Sequence, residues 1–304
     1  MSEKALIWPN FYMVGVAKAG TTSVHAYLIN HPQVFFPKIK EPSYFASVAP
    51  VPGSEYKFFV GDLEGYQRLY KDSVGYKAIG DGSPGYIFDR DSARRIHEVC
   101  PQARIVILLR DPVARAYSNY FMFQRFGMEK LSFPEAIRRD HTEVIEKNQW
   151  GPYFHELYVE LGLYYEQVRR YIEVFGREQV EIFLHEDMAK DTPGVIGAIC
   201  RHIGVDPGLM SAEDLARVHN PGRSPRYKWL YNAARAVFSY RLRDRLLPGK
   251  VRDWLGDNGI FYKRYKQVRD DESTRYLQAI YEPDICRLED LLGRKLPELR
   301  KTWI

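Results

Sequence analysis

VGVAKAGTTSVHAYL, Val14 to Leu28, is the stretch on which the fold turns. A short apolar run, Phe11 to Val16 (FYMVGV), enters a loop containing Gly15 and Gly20, and the loop opens an amphipathic segment over Thr22 to Ile29. Short, β-branched and nearly uncharged runs read as buried strands, so the order is strand, glycine turn, helix. The first N–H groups of a helix have no intrahelical partner, and the helix dipole adds roughly half a positive charge there. Such a junction is an anion site. Gly15 and Gly20 let the backbone approach a phosphate closely. Lys18 and Ala19 lie between them, and Thr21, Thr22 and Ser23 add hydroxyl donors.

The spacing Gly15-x4-Gly20 fits the loop pattern G-x-x-x-x-G-K-[ST], except that Thr21 stands where the pattern requires lysine. The lysine has moved into the loop, to Lys18. An enzyme using Mg-ATP adds a hydroxyl after its lysine and an Asp near the end of a later strand. A later strand here, Ile105 to Leu109 (IVILL), runs into Arg110 and Asp111, so a P-loop small-molecule kinase using ATP stays open as an alternative.

Outward from this loop, Val180 to Leu184 (VEIFL) reads as another buried strand. Helical patterns cover Val113–Gln124, Phe133–Lys147, Leu161–Phe175, Pro193–Ile203 and Tyr276–Leu292. Strand and helix in alternation predict an α/β fold of three layers, a central parallel sheet covered on both faces. The 304 residues are read as a single domain, with two excursions facing an acceptor, near 42–75 and 219–270.

Composition narrows the classes. Hydrophobic residues make up 45%, which excludes a disordered chain. A net charge of +5 suits a small polyanion at least as well as nucleic acid. Three dispersed cysteines, Cys100, Cys200 and Cys286, form neither a zinc pattern nor a disulfide scaffold and fit a reducing cytoplasm. The opening MSEKALIWPNF has no long apolar stretch, and no later run approaches the roughly 20 apolar residues of a membrane span. A cytoplasmic protein is expected.

The loop with Lys18, Gly20, Thr21 and Thr22 resembles the 5′-phosphosulfate loop of sulfotransferases, above all the heparan-sulfate type and its bacterial relatives. The resemblance implies a nucleotide-kinase-like fold and 3′-phosphoadenosine 5′-phosphosulfate as donor, with 3′-phosphoadenosine 5′-phosphate as product. IVILLRDPVARAYSNY, Ile105 to Tyr120, is similar to the family's 3′-phosphate motif, in which Arg110 and Ser118 grip the phosphate that distinguishes this donor from ATP. HNPGRSPRYK, His219 to Lys228, resembles the loop that folds over the nucleotide and offers Arg223 and Arg226.

The same resemblance makes Glu41, between Lys40 and Pro42-Ser43-Tyr44-Phe45, the general base that takes the acceptor's proton. Lys18 then stabilises charge on the leaving phosphate, with Lys40 as an assistant. Because the donor carries its own activated sulfate, the chemistry asks for no metal. DGSPGY, Asp81 to Tyr86, resembles a family stretch lining the acceptor cleft, so Asp81, Ser83 and Tyr86 join Lys40 as expected acceptor contacts. Gly82 departs from the lysine that heparan-type members often carry there, which casts doubt on an acidic polymer as acceptor. His25, His155 and His185 are the other residues able to act as bases.

Sugar, lipid and small-molecule acceptors all remain open. A non-catalytic nucleotide or nucleic-acid binder is the reading from another class, and Glu41 beside an intact loop speaks against it. The basic, aromatic segment Tyr227–Tyr265 reads as a lid over the acceptor or as a surface for a membrane or a carrier protein.

Overall fold

The computed structural model describes residues 6–47, 60–125, 128–216, 223–225, 262–264 and 270–303. Five strands, β1 (Phe11–Gly15), β2 (Val34–Phe35), β3 (Ala78–Asp81), β4 (Arg104–Leu109) and β5 (Val180–Leu184), form one sheet in the order β2-β3-β1-β4-β5. Every pairing in it is parallel. The helices are α1 (Thr21–Leu28), α2 (Leu63–Leu69), α3 (Ser92–Val99), α4 (Pro112–Arg125), α5 (Phe133–Ala136), α6 (Thr142–Glu146), α7 (Tyr164–Phe175), α8 (His185–Lys190), α9 (Thr192–His202), α10 (Ala212–Ala216) and α11 (Asp271–Leu292). A small antiparallel pair, β6 (Arg223–Pro225) with β7 (Tyr262–Arg264), stands apart from the main sheet.

All five residues of β1 are buried, as they must be when both faces of a parallel sheet are covered. The helices pack in two sets: α3, α4 and α11 with or through α7 and one another, and α1 and α8 against α9. The expected three-layer α/β fold with a central parallel sheet is what the chain forms. The chain leaves β1 toward β3 on one side and reaches β4 on the other. The crevice beyond the carboxyl ends of β1 and β4 is therefore the topological switch point where such sheets bind ligands.

Several boundaries differ from the sequence expectation, for local reasons. The helix expected over Phe133–Lys147 is two, α5 and α6. Ser132 and Glu135 form a capping box for the first, and Asp140 accepts the N–H of Thr142 at 2.9 Å to start the second. The helix expected from Leu161 begins at Tyr164. Its first N–H groups, of Tyr164 and Tyr165, are accepted by Asp284 of α11 at 2.6 and 3.1 Å, a cap supplied from 120 residues away. Residues 226–261 and 265–269 lie outside the described residues, and with them Arg226 and nearly all of the basic aromatic segment. Of the first excursion, residues 48–59 likewise lie outside.

Candidate active site

The loop from β1 to α1 sits at the switch point. Gly20, with φ +98°, is the N-cap of α1, and no side chain caps the helix. A Cβ at Gly20 would come within 2.9 Å of Met188 Cε and 3.2 Å of His185 Cδ2, so only glycine fits both the backbone and the space. In the first turn Thr22 is exposed, Thr21 and the preceding Ala19 are buried, and Ser23 is half-buried with its N–H bonded to the Gly20 carbonyl at 2.9 Å. An uncapped helix end with a cradle that a methyl group would fill matches the needs of a phosphate.

Lys18 adopts φ +73°, a conformation costly for a residue with a side chain. Lys18 is half-buried, and its ammonium rests 3.1 Å from the Met122 sulfur on α4. Burial, and then the guanidinium groups of Arg110, Arg125 and Arg115, bring its pKa down to about 8, while Glu41 opposes the shift. Arg110, at the end of β4, donates to the Lys18 carbonyl at 3.0 Å and so ties the two expected phosphate sites together. Ser118 is half-buried on α4, two turns into the helix that follows Arg110. Three guanidinium groups act on Lys18 against Glu41, with Glu186 and Asp111 beside Arg110, and this excess of positive charge favours an anion.

Glu41 is partly exposed, 37% by side chain, and pairs with Lys40. Its charge is felt both at Lys18 and at Asp81, which puts the expected base between the phosphate loop and β3. The remaining expected acceptor contacts are placed differently. Asp81, Ser83 and Tyr86 are fully buried, and their polar atoms are committed to one another and to the loop after Glu41. They face the interior, and since an acceptor can bond only atoms that reach the cleft, they do not meet it directly. Burial pushes the Asp81 carboxyl up to about 6, against the pull of its hydroxyl donors.

Asp111, left open by the sequence as a metal ligand, is fully buried with both oxygens occupied. Oδ1 accepts the N–H of Ala114 at 3.0 Å, and Oδ2 accepts the N–H and hydroxyl of Thr302, each at 2.7 Å. It fastens the C-terminal turn to the start of α4. Of the three histidines, His185 packs against Gly20. Burial, with Arg110 and Lys301, holds it down to about 4, so it is neutral at pH 7. His25 is also held to about 4, by burial and then Lys40, with its ring 4.4 Å from Phe36. His155 lies 3.3 Å from Glu156 and packs on Phe123.

Sequence reasoning missed Arg115, Arg125 and Met122. Arg115 is wholly buried, and its Nε and Nη1 have no hydrogen-bond partner among the described residues. The signal was present in the four-cation pattern Arg110, Arg115, Arg125 and Lys18, but helical phase alone does not say that they converge. Arg223 lies in β6, paired through the backbone with Arg264.

Over 165 residues the chain is 32% identical to the membrane-associated sulfotransferase kil1 of Dictyostelium discoideum, covering 52% of this chain and 32% of that protein. It is 25% identical to the bifunctional heparan sulfate N-deacetylase/N-sulfotransferase 4 of Mus musculus, over 97% of this chain and 31% of the relative. The chain thus spans about a third of the length of these two curated relatives. A solved sulfotransferase from Alicyclobacillus acidocaldarius superposes with a TM-score of 0.71 at 29% identity, covering 97% of this chain and 100% of that one. No helix among the described residues is long and apolar enough to cross a membrane. Residues 9–221 match the sulfotransferase domain family, with the phosphate loop, Arg110 and Glu41 all inside the match, and the chain belongs to that family.

Proposed function

We propose that the chain transfers a sulfuryl group from 3′-phosphoadenosine 5′-phosphosulfate to a hydroxyl or amine of a carbohydrate, lipid or small-molecule acceptor. The observation that carries the reading is Lys18, a half-buried lysine within the phosphate loop whose carbonyl is bonded to Arg110. The N–H groups of the first turn of α1 and Lys18 hold the 5′-phosphosulfate. Arg110 and Ser118 hold the 3′-phosphate, for which a guanidinium offers two parallel charge-assisted bonds. The donor supplies an activated sulfate.

Glu41 takes the proton of the acceptor as its oxygen or nitrogen bonds to sulfur and the sulfur–oxygen bond to the 5′-phosphate breaks. A positioned base of this kind contributes roughly 10²–10⁴ in rate. Lys18 meets the charge that grows on the departing phosphate oxygen, in a site where burial strengthens the interaction. The carbohydrate reading of the acceptor has support from several relatives, named as heparan sulfate and carbohydrate sulfotransferases. An ATP-using kinase finds less support, because the lone pairs of Asp111 are taken by Ala114 and Thr302.

The test is calorimetric binding of 3′-phosphoadenosine 5′-phosphate, ATP and 5′-AMP to the wild type and to Arg110→Ala. A preference for the 3′-phosphate of about 1.5–3 kcal/mol, lost in the variant, is expected for a charge-assisted contact. Equal or ATP-favouring binding would overturn the reading.

A further inference from the structure

We propose that Asp81 is a positioning residue for Glu41: one buried carboxylate, acting through three hydroxyl groups, fixes the loop that carries the base. The inference rests on the reading of Glu41 as general base.

Asp81 ends β3 and is fully buried. Its Oδ1 accepts the Ser83 hydroxyl at 2.6 Å, and Ser83 Oγ in turn accepts the main-chain N–H of Ser43 at 3.0 Å. Its Oδ2 accepts the Tyr86 hydroxyl at 3.0 Å, and Tyr86 Oη accepts the N–H of Phe45 at 3.3 Å. The same Oδ2 accepts the Tyr66 hydroxyl at 2.8 Å, and the Tyr66 ring stacks on Tyr44, with centroids 4.4 Å apart and planes 19° from parallel. Ser43, Tyr44 and Phe45, which follow Glu41-Pro42, are therefore each held by a group that Asp81 orients.

Direction is what a carboxylate supplies here. Ionised, it only accepts, so each hydroxyl spends its single proton on Asp81 and turns its lone pairs to the loop. Ser83 and Tyr86 then have no choice but to accept the N–H groups of Ser43 and Phe45. An amide in place of the carboxylate carries its own N–H donors, lets a hydroxyl reverse, and leaves a loop N–H facing another donor. The constraint has something to hold: Ser43 has φ +54°, a conformation that persists in a residue with a side chain only when its surroundings over-determine it. Upstream, the Lys40 carbonyl lies 3.4 Å from where a Cβ at Gly82 would stand, so the floor under Lys40-Glu41 is set by the same DGSPGY turn.

The experiment uses Asp81→Asn, Ser83→Ala and Ser83→Thr, each alone and combined with Glu41→Gln. Turnover is read as release of 3′-phosphoadenosine 5′-phosphate from the phosphosulfate donor with water as acceptor, and product affinity by calorimetry. Asp81→Asn and Ser83→Ala are expected to lose about tenfold or more in turnover with product affinity kept within about twofold, and Ser83→Thr to retain it. In the Glu41→Gln background the first two are expected to cost nothing further, since the residue they position is already gone. Undiminished turnover, the same loss in that background, or a loss that follows product affinity would overturn the proposal. A wild type that neither binds 3′-phosphoadenosine 5′-phosphate nor releases it from the donor refutes the sulfotransfer reading instead. Where the donor gives no turnover with water, positioning is read from hydrogen exchange at the amides of Ser43 and Phe45, which Asp81→Asn speeds by about tenfold or more if the network holds the loop and leaves unchanged if it does not.

Discussion

The ammonium of Lys18 lies 3.1 Å from the sulfur of Met122, within electrostatic reach of the guanidinium groups of Arg110, Arg125 and Arg115. Burial and then those guanidinium groups bring its pKa down to about 8, and the thioether beside it is only a weak acceptor. An anion in the loop would raise that value again. Between about pH 8 and 10 nucleotide binding then takes up a proton, and affinity for 3′-phosphoadenosine 5′-phosphate falls by at most about tenfold per pH unit. Calorimetry at pH 8.5 in two buffers of different ionisation enthalpy reads the uptake. Lys18→Arg, which stays charged, is expected to abolish it, and binding independent of pH up to 10 would count against a half-buried lysine at the phosphate.

Gly20→Ala tests the cradle. The added methyl meets Met188 and His185 and sits on a backbone at φ +98°. A cost of about 1–3 kcal/mol in unfolding free energy is expected, from the strained conformation, together with weaker nucleotide binding. Chemical denaturation and calorimetry on one preparation separate the two effects. Unchanged affinity would place the phosphate away from this turn.

Asp111 and Thr302 make a third case. Asp111→Ala strands the buried N–H of Ala114 and the half-buried N–H and hydroxyl of Thr302, with an expected loss of roughly 3 kcal/mol. Thr302→Val removes one bond and is expected to cost about 1 kcal/mol. If Asp111 were instead a metal ligand, its loss would change the response of nucleotide binding to Mg²⁺. Clasping predicts a lower melting temperature and the same response.

How much was legible follows from how local each feature is. The phosphate loop was readable because strand, glycine turn and helix start occupy consecutive residues. Arg110 was readable because it follows an uninterrupted apolar strand. The two-residue β2 and the short β3 were harder, since neither Val34–Phe35 nor Ala78–Asp81 is long enough to declare a period. Asp81, Ser83 and Tyr86 were found as a cluster but given to the acceptor, because a sequence does not tell a polar residue that faces a cleft from one buried under it.

The sequence by itself determined the alternation of strands and helices, hence the parallel sheet, and the two loops at the carboxyl ends of β1 and β4 that are proposed as an anion site. Only the tertiary structure decided which charges meet. Lys18 comes to Met122 across 104 residues, Asp111 to Thr302 across 191, and Ser83 to Ser43 across 40. Periodicity and turn chemistry act over a few residues, whereas the burial that lowers Lys18 and occupies Asp111 is a property of distant segments packed together.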